Sequence, residues 1–353
     1  MPPIHRPAAT TGPVGEEPTD TLGRPLRDLR VSVTDRCNFR CPYCMPRDQF
    51  GPDHAFLARS DLLTFEEITR VATAAADLGV GKVRLTGGEP LLRHDLPSLV
   101  GMLATIDGID DLALTTNGSL LTHDLAADLA DAGLDRVTVS LDSLDPRTFS
   151  SMSDTKIPLE RVIDGIDAAI ATGLAPVKLN CVVQRGRNEH EVADLVTFAM
   201  GRGAIMRFIE YMDVGTTNGW DADNVVPAAE ILERVATVHP LEPIGNRPRG
   251  EVASRYRIAG CETEIGIVAS VTAPFCGDCS RLRLSAIGEL FTCLFAARGH
   301  DLRALVRDGA DRRAIGDEIA AVWMARTDRY SEQRAGTPVT LSTPRVEMSY
   351  IGG

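Results

Sequence analysis

The stretch Leu29-Arg30-Val31-Ser32-Val33-Thr34-Asp35-Arg36-Cys37-Asn38-Phe39-Arg40-Cys41-Pro42-Tyr43-Cys44 decides how this chain is read. Its first part alternates. Arg30, Ser32 and Thr34 fall on one side of an extended backbone and Val31 and Val33 on the other, because strand side chains repeat with a period of two. Its second part carries three cysteines spaced Cys-x3-Cys-x2-Cys. A strand therefore runs directly into a loop bearing three thiols.

Outward from that strand, the chain repeats a strand–helix unit. Strands are expected at Leu29–Thr34, Lys82–Thr86, Leu112–Thr116, Arg136–Asp142, Pro176–Val183 and Ala204–Glu210. Helices are expected at Thr64–Leu78, Leu96–Ile106, His123–Ala132, Leu159–Thr172 and Glu189–Gly201, with Thr64 and Glu67 forming a capping box for the first. This order argues for parallel strands joined by crossover helices. Parallel strands buried on both faces usually read as continuous apolar runs. These alternate: Thr138, Ser140 and Asp142 oppose Val137, Val139 and Leu141, and Lys178 and Asn180 oppose Val177 and Leu179. The apolar faces would pack on helices and the polar faces line a lumen. The expected fold is α/β, an incomplete barrel of about six β/α units around a polar ligand.

Beyond Val238 the pattern changes. Strand-like pieces (Val252–Ile258, Glu264–Val268) lead to a cysteine loop, followed by helical stretches at Asp301–Arg307 and Arg312–Ala325. We read residues 1–26 as a disordered tail, 27–240 as the barrel, and 241–353 as a C-terminal domain that caps it and ends in Gly352-Gly353.

A four-iron cube closed by protein takes four thiolates. Cys37, Cys41 and Cys44 supply three, which leaves one iron open to a small molecule. The alternative is a structural zinc, but zinc prefers four closed ligands, often as two Cys-x2-Cys pairs. Cys276, Cys279 and Cys293 form a second set of three, spaced Cys-x2-Cys-x13-Cys. A zinc there would need a fourth ligand such as His300. Between these cysteines lies Arg281-Leu282-Arg283, whose period of two puts both arginines on one face, and guanidinium forks suit phosphate oxygens. Gly87-Gly88-Glu89-Pro90 follows the second strand, where glycines permit close backbone approach to a ligand. No Gly-x4-Gly-Lys-Ser/Thr loop is present, so a bound nucleoside triphosphate would rely on side-chain cations. Cys181 and Cys261 fit neither set and read as small buried hydrophobes.

The first cysteine motif after a strand, with Gly87-Gly88-Glu89-Pro90, resembles the radical S-adenosylmethionine (SAM) superfamily. The added Cys276-x2-Cys279-x-Arg281-Leu282-Arg283, Cys293 and the Gly-Gly end narrow the resemblance to its GTP-cyclising family, which opens molybdenum-cofactor biosynthesis. The matching blocks spread over residues 27 to 295. The resemblance implies a partial (β/α)6 TIM-type barrel with a cluster-binding extension and two [4Fe-4S] clusters. One cluster would sit on Cys37, Cys41 and Cys44 and the other on Cys276, Cys279 and Cys293. It implies SAM binding by Tyr43, Gly88, Ser140 and Met212. GTP would be held by Arg30, Arg84, Thr115, Lys178, Arg281, Leu282 and Arg283. It further implies a Gly-Gly tail reaching the active site, a homodimer, an electron donor, and a cyclic pyranopterin monophosphate synthase that takes the product. Alternatives are a peptide-modifying radical SAM enzyme with an auxiliary cluster and a zinc-stabilised binding protein without activity.

Composition agrees with an enzyme rather than a nucleic-acid binder. The chain has 353 residues, 44% hydrophobic and 24% charged, with a net charge of −12. Phosphate backbones need clustered cations, and here an anionic substrate would have to meet a local group of arginines against an acidic background. The N-terminus has no apolar core of a signal peptide, and no apolar run is long enough to span a bilayer. A cytoplasmic location is expected, where thiols stay reduced and available to metal.

Overall fold

The computed structural model describes residues 17–245, 250–334 and 345–352. Twelve strands form one sheet: β1 (Asp28–Ser32), β2 (Lys82–Thr86), β3 (Asp111–Thr116), β4 (Arg136–Ser140), β5 (Lys178–Val183), β6 (Ile205–Glu210), β7 (Leu241–Pro243), β8 (Ser254–Ile258), β9 (Glu264–Val268), β10 (Arg281–Leu284), β11 (Glu289–Phe291) and β12 (His300–Asp301). The spatial order is β12-β11-β10-β1-β2-β3-β4-β5-β6-β9-β8-β7. From β10 through β9 neighbours run parallel, and the two outer pairs on each flank are antiparallel. β10 and β9, from the two flanks, present residues to the same cavity. The sheet is therefore curled into an incomplete barrel.

Helices cover its outer face as the apolar periodicity requires. Phe65–Asp77 buries Ile68, Val71, Ala72, Ala74 and Ala75, and the expected capping box is present at Thr64 and Glu67. Val31, Val83, Leu114, Val137, Leu179 and Phe208 meet these helices from the sheet side. Two further helices, Pro146–Ser153 and Ala228–Ala236, lie in stretches where no helix was expected. The second begins where the buried Glu210 carboxylate accepts the Ala228 amide, 2.7 Å away. Among the described residues no helix is long and apolar enough to cross a membrane.

Two expectations change. The C-terminal part does more than cap the barrel: β10 extends the parallel sheet beyond β1 and β9 extends it beyond β6. Residues 17–26, expected within a structureless tail, are ordered. Arg24 and Leu26 are buried, and Trp323 Nε1 donates to the Arg24 carbonyl at 3.0 Å. Low apolar periodicity did not reveal an anchor made of the buried Asp20, paired with Arg24 and Arg326, and one tryptophan. Residues 1–16 and Gly353 lie outside the described residues.

Candidate active site

Strand direction fixes where the two cysteine sets stand. Cys37, Cys41 and Cys44 follow the C-terminal end of β1. Cys276 and Cys279 precede β10, which runs parallel to β1 with Arg281 level with Asp28. Cys293 follows β11, which is antiparallel to β10 with Phe291 level with Arg283. All three of the second set thus gather at the N-terminal end of the strands. At about 3.3 Å per residue the five residues of β1 separate the two ends by roughly 17 Å. Both sets line one cavity.

Between them runs a row of cations. The register aligns Arg283 with Arg30 and Arg30 with Arg84, so three guanidinium stems lie side by side on β10, β1 and β2. Neighbouring strands are about 4.8 Å apart. All three face the lumen, as alternation required. Arg84 Nη1 donates to Thr115 Oγ1 at 3.0 Å and Thr138 Oγ1 at 3.3 Å. Arg207, on β6, joins them and donates from Nε to Asn180 Oδ1 at 2.7 Å. Burial and neighbouring positive charge, opposed in part by Asp28, pull Arg30 down to about 9 and Arg84 to about 10; burial and neighbouring arginines, opposed by Glu251, pull Arg207 to about 10. Arg283 falls well below the usual value for the same reasons. Nε of Arg30, Arg84 and Arg281 is buried without a hydrogen-bond partner. Such a row calls for a polyanion.

The thiols fit cluster ligands better than a single ion. All eight cysteines are free. Among the described residues no three His, Cys, Asp or Glu side chains converge as one metal ion requires. His300, the suggested fourth zinc ligand, instead pairs with Glu318 at 2.6 Å on the outer strand β12. Burial pushes the Cys37 thiol up to about 11, helped by Glu89, and raises Cys41 and Cys44 further, with neighbouring thiols adding to it. Buried thiols that resist ionisation side by side suit a site whose irons would neutralise them. Cys279 behaves differently: burial would raise it, but Arg281 and Arg326 outweigh burial and hold it at about 6.

The glycine pair has a packing cause as well as a site. Gly87 has φ +150°, and a Cβ there would meet the Thr34 carbonyl oxygen at 2.6 Å; one on Gly88 would strike the Arg36 carbonyl. The loops after β1 and β2 therefore press together, tied by Gly88 N to Thr34 O at 2.9 Å and Glu89 N to Arg36 O at 2.7 Å. Glu89 then ties in β3. It accepts from Thr116 Oγ1 at 2.6 Å and from the Asn117 amide at 2.7 Å, and burial lifts it to about 7. Tyr43 donates to Asp142 at 2.6 Å, and burial raises Asp142 to about 6. At the other end of the chain Arg283 donates to the carbonyl of Gly352, which stands against Thr86 and Ser32.

Tyr43, Gly88, Ser140, Met212, Arg30, Arg84, Thr115, Arg281 and Arg283 all line the cavity with the six cysteines. Two expected residues do not. Leu282 is fully buried in the apolar core on the opposite face of β10. A residue between two lumen-facing arginines must point away from the lumen. Lys178 sits half-buried at the start of β5, and burial, then Arg207, lowers it to about 8. Sequence reasoning singled out neither Arg207 nor Arg326 as a site residue. Arg207 is flanked on its own face by Ile205 and Ile209, so β6 shows no polar alternation. Arg326 sits after a helix, in a turn without a motif.

Comparisons with known proteins now bear on this geometry. Residues 31–199 match the radical SAM superfamily, and residues 204–332 match a family described as Molybdenum Cofactor Synthesis C. A GTP 3′,8-cyclase of Acidothermus cellulolyticus is 57% identical, over 95% of this chain and 98% of that protein. The chain belongs to the GTP 3′,8-cyclase family. A Staphylococcus aureus member of the family is 44% identical over 96% of this chain and 99% of its own. Among solved structures, Streptococcus suis SuiB bound to S-adenosylmethionine superposes with a TM-score of 0.61 at 14% identity, covering 90% of this chain and 69% of that one. That likeness is one of fold: the radical SAM barrel is shared, and the 14% identity says nothing of what this family member acts on.

Proposed function

We propose that this cavity performs the reaction for which the family is named, the SAM-dependent radical cyclisation of GTP to 3′,8-cyclo-7,8-dihydro-GTP at the start of molybdenum-cofactor biosynthesis. The observation that carries the reading is the row Arg283–Arg30–Arg84, set between two cysteine triads that are each one ligand short of closing a cube. When bound, the two [4Fe-4S] clusters and SAM supply the electron, the 5′-deoxyadenosyl radical that removes the ribose C3′ hydrogen, and an open iron for the purine. Cys37, Cys41 and Cys44 would hold the first cluster and Cys276, Cys279 and Cys293 the second.

The chain's own residues do the rest. Tyr43, held by Asp142, offers a flat face beside the first triad, and Gly88, Ser140 and Met212 complete the SAM wall. Arg30, Arg84 and Arg283 neutralise the triphosphate, with Arg207 beside them and the Lys178 charge below; Thr115 orients Arg84. Leu282 contributes only backbone. Arg281, which donates to Cys279 Sγ at 3.3 Å and lies over Phe275, guides the base toward the second triad. Holding C3′ against the radical source and C8 beside C3′ is catalysis by orientation, and the lumen of the incomplete barrel shelters the radicals from water. Residues 27–240 form the SAM-binding unit and 241–353 the second-cluster unit. In this reading the chain works as a cytoplasmic homodimer, takes electrons from a donor protein, and passes its product to a cyclic pyranopterin monophosphate synthase; the family resemblance supports these points.

Anaerobic incubation with SAM, reductant and GTP tests the proposal. Cyclised nucleotide and 5′-deoxyadenosine are expected, with Cys44→Ala abolishing both. Consumption of SAM with GTP left intact under every condition would refute it.

A further inference from the structure

The segment before β1 has no role in the site described so far, yet it contains the buried Asp20. Asp20 Oδ2 accepts from Arg24 Nε at 2.5 Å and lies 3.6 Å from Arg326 Nη1. Its Oδ1 accepts from the backbone amides of Leu22 and Arg24, at 3.0 and 2.9 Å. The side chain of Asp20 is 0% exposed, and those of Arg24 and Arg326 are 1% and 2%. Removing three charges from water is costly unless geometry compensates, so such a group needs a reason.

Both arginines end on the second cysteine loop. Arg24 Nη1 donates to the carbonyls of Cys276 and Asp328, each at 2.8 Å. Arg326 Nη1 donates to the carbonyl of Cys279 at 2.7 Å. The Asp328 carboxylate accepts from Thr292 Oγ1 at 2.6 Å, next to Cys293. Each cysteine of the triad is thus fixed, directly or through its neighbour, by a frame centred on Asp20. The frame is not needed merely to tether the segment, because Thr21 Oγ1 to the Arg326 carbonyl and Trp323 to the Arg24 carbonyl already do so.

We infer that Asp20 is a positioning residue for the second cluster: it aims two buried arginine forks at the carbonyls of Cys276 and Cys279 and so sets the spread of the thiolates. This rests on the reading of Cys276, Cys279 and Cys293 as cluster ligands. Outer-shell groups that orient ligands commonly change metal affinity about 10- to 100-fold when altered.

The test compares reconstituted full-length parent with Asp20→Asn, by iron and sulfide content and by electron paramagnetic resonance with SAM or GTP added. Asp20→Asn should hold roughly half the iron of the parent, about one four-iron cube. It should keep the SAM-responsive signal and lose the GTP-responsive one. Full iron with an unchanged GTP response would overturn the inference. So would equal loss of both signals, since that marks a general structural role. Where Asp20→Asn is insoluble, Arg24→Lys decides: it keeps the charge but not the fork, and retention of the GTP-responsive signal would overturn the inference. The triple Cys276/Cys279/Cys293→Ala variant separates the two levels. If its iron equals that of the parent, the ligand reading fails and the inference falls with it. If its iron halves, the reading stands and Asp20 is judged on its own variants.

Discussion

Arg281 shows how one side chain can serve two neighbours. Its guanidinium touches the sulfur of Cys279 and faces the cavity that would take the base. Arg281→Ala should leave 5′-deoxyadenosine formation intact, because the first triad is untouched, while the cyclised product falls about 100-fold or more, the usual loss for a preorganised charged donor. Product analysis by chromatography checks this, and unchanged yields of both would refute the role. Glu89 makes a prediction about pH. Burial raises its folded value to about 7, above the unfolded value, so the folded state holds its proton more tightly. That contribution to stability is present below the unfolded value and disappears as pH rises through about 7. Between pH 6 and 8 the loss is one proton's worth over one unit, about 1.4 kcal/mol. Denaturant titrations at both pH values should show this decline in the parent and not in Glu89→Gln. Parallel slopes in the two proteins would contradict it.

At the scale of elements, the chain's termini are as important as its strands. The strand–helix repeat was legible because alternation and capping are local: Thr64 and Glu67 cap the helix where they were expected to. Thr64→Ala should therefore cost about 1 kcal/mol of stability, read by denaturation, with product yield per cluster unchanged. β10 and β9 were harder to place, since nothing local in Arg281-Leu282-Arg283 or Glu264–Val268 says which edge of the sheet each will extend. The same limit hid the frame of Asp20, Arg24 and Arg326: the first two are four residues apart, but Arg326 stands some 300 residues further along the chain. The C-terminal end is tested through Gly352. Its φ is +73°, and a Cβ there would collide with Thr86. Gly352→Ala should expel the tip from Arg283 and lower product formation about tenfold or more, while the thermal midpoint stays within a few degrees. An active Gly352→Ala variant would show that the tail contact is dispensable.

Across the whole molecule, an acidic chain of net charge −12 concentrates buried arginines in one lumen. The sequence made this legible through polar faces on strands that should have been apolar. It could not give the order of the two cysteine sets along the barrel axis, because that order comes from the parallel register of β10 on β1. The register puts the two triads at opposite ends of one cavity, and the proposed function gives each a different small molecule. The most direct measurement is electron paramagnetic resonance of two complementary triple variants. With Cys276, Cys279 and Cys293 replaced by alanine, the remaining cluster signal should shift on adding SAM and ignore GTP. With Cys37, Cys41 and Cys44 replaced, the remaining signal should shift on adding GTP and ignore SAM. A single variant that answers to both molecules, or a pair that answers to neither, would contradict the account.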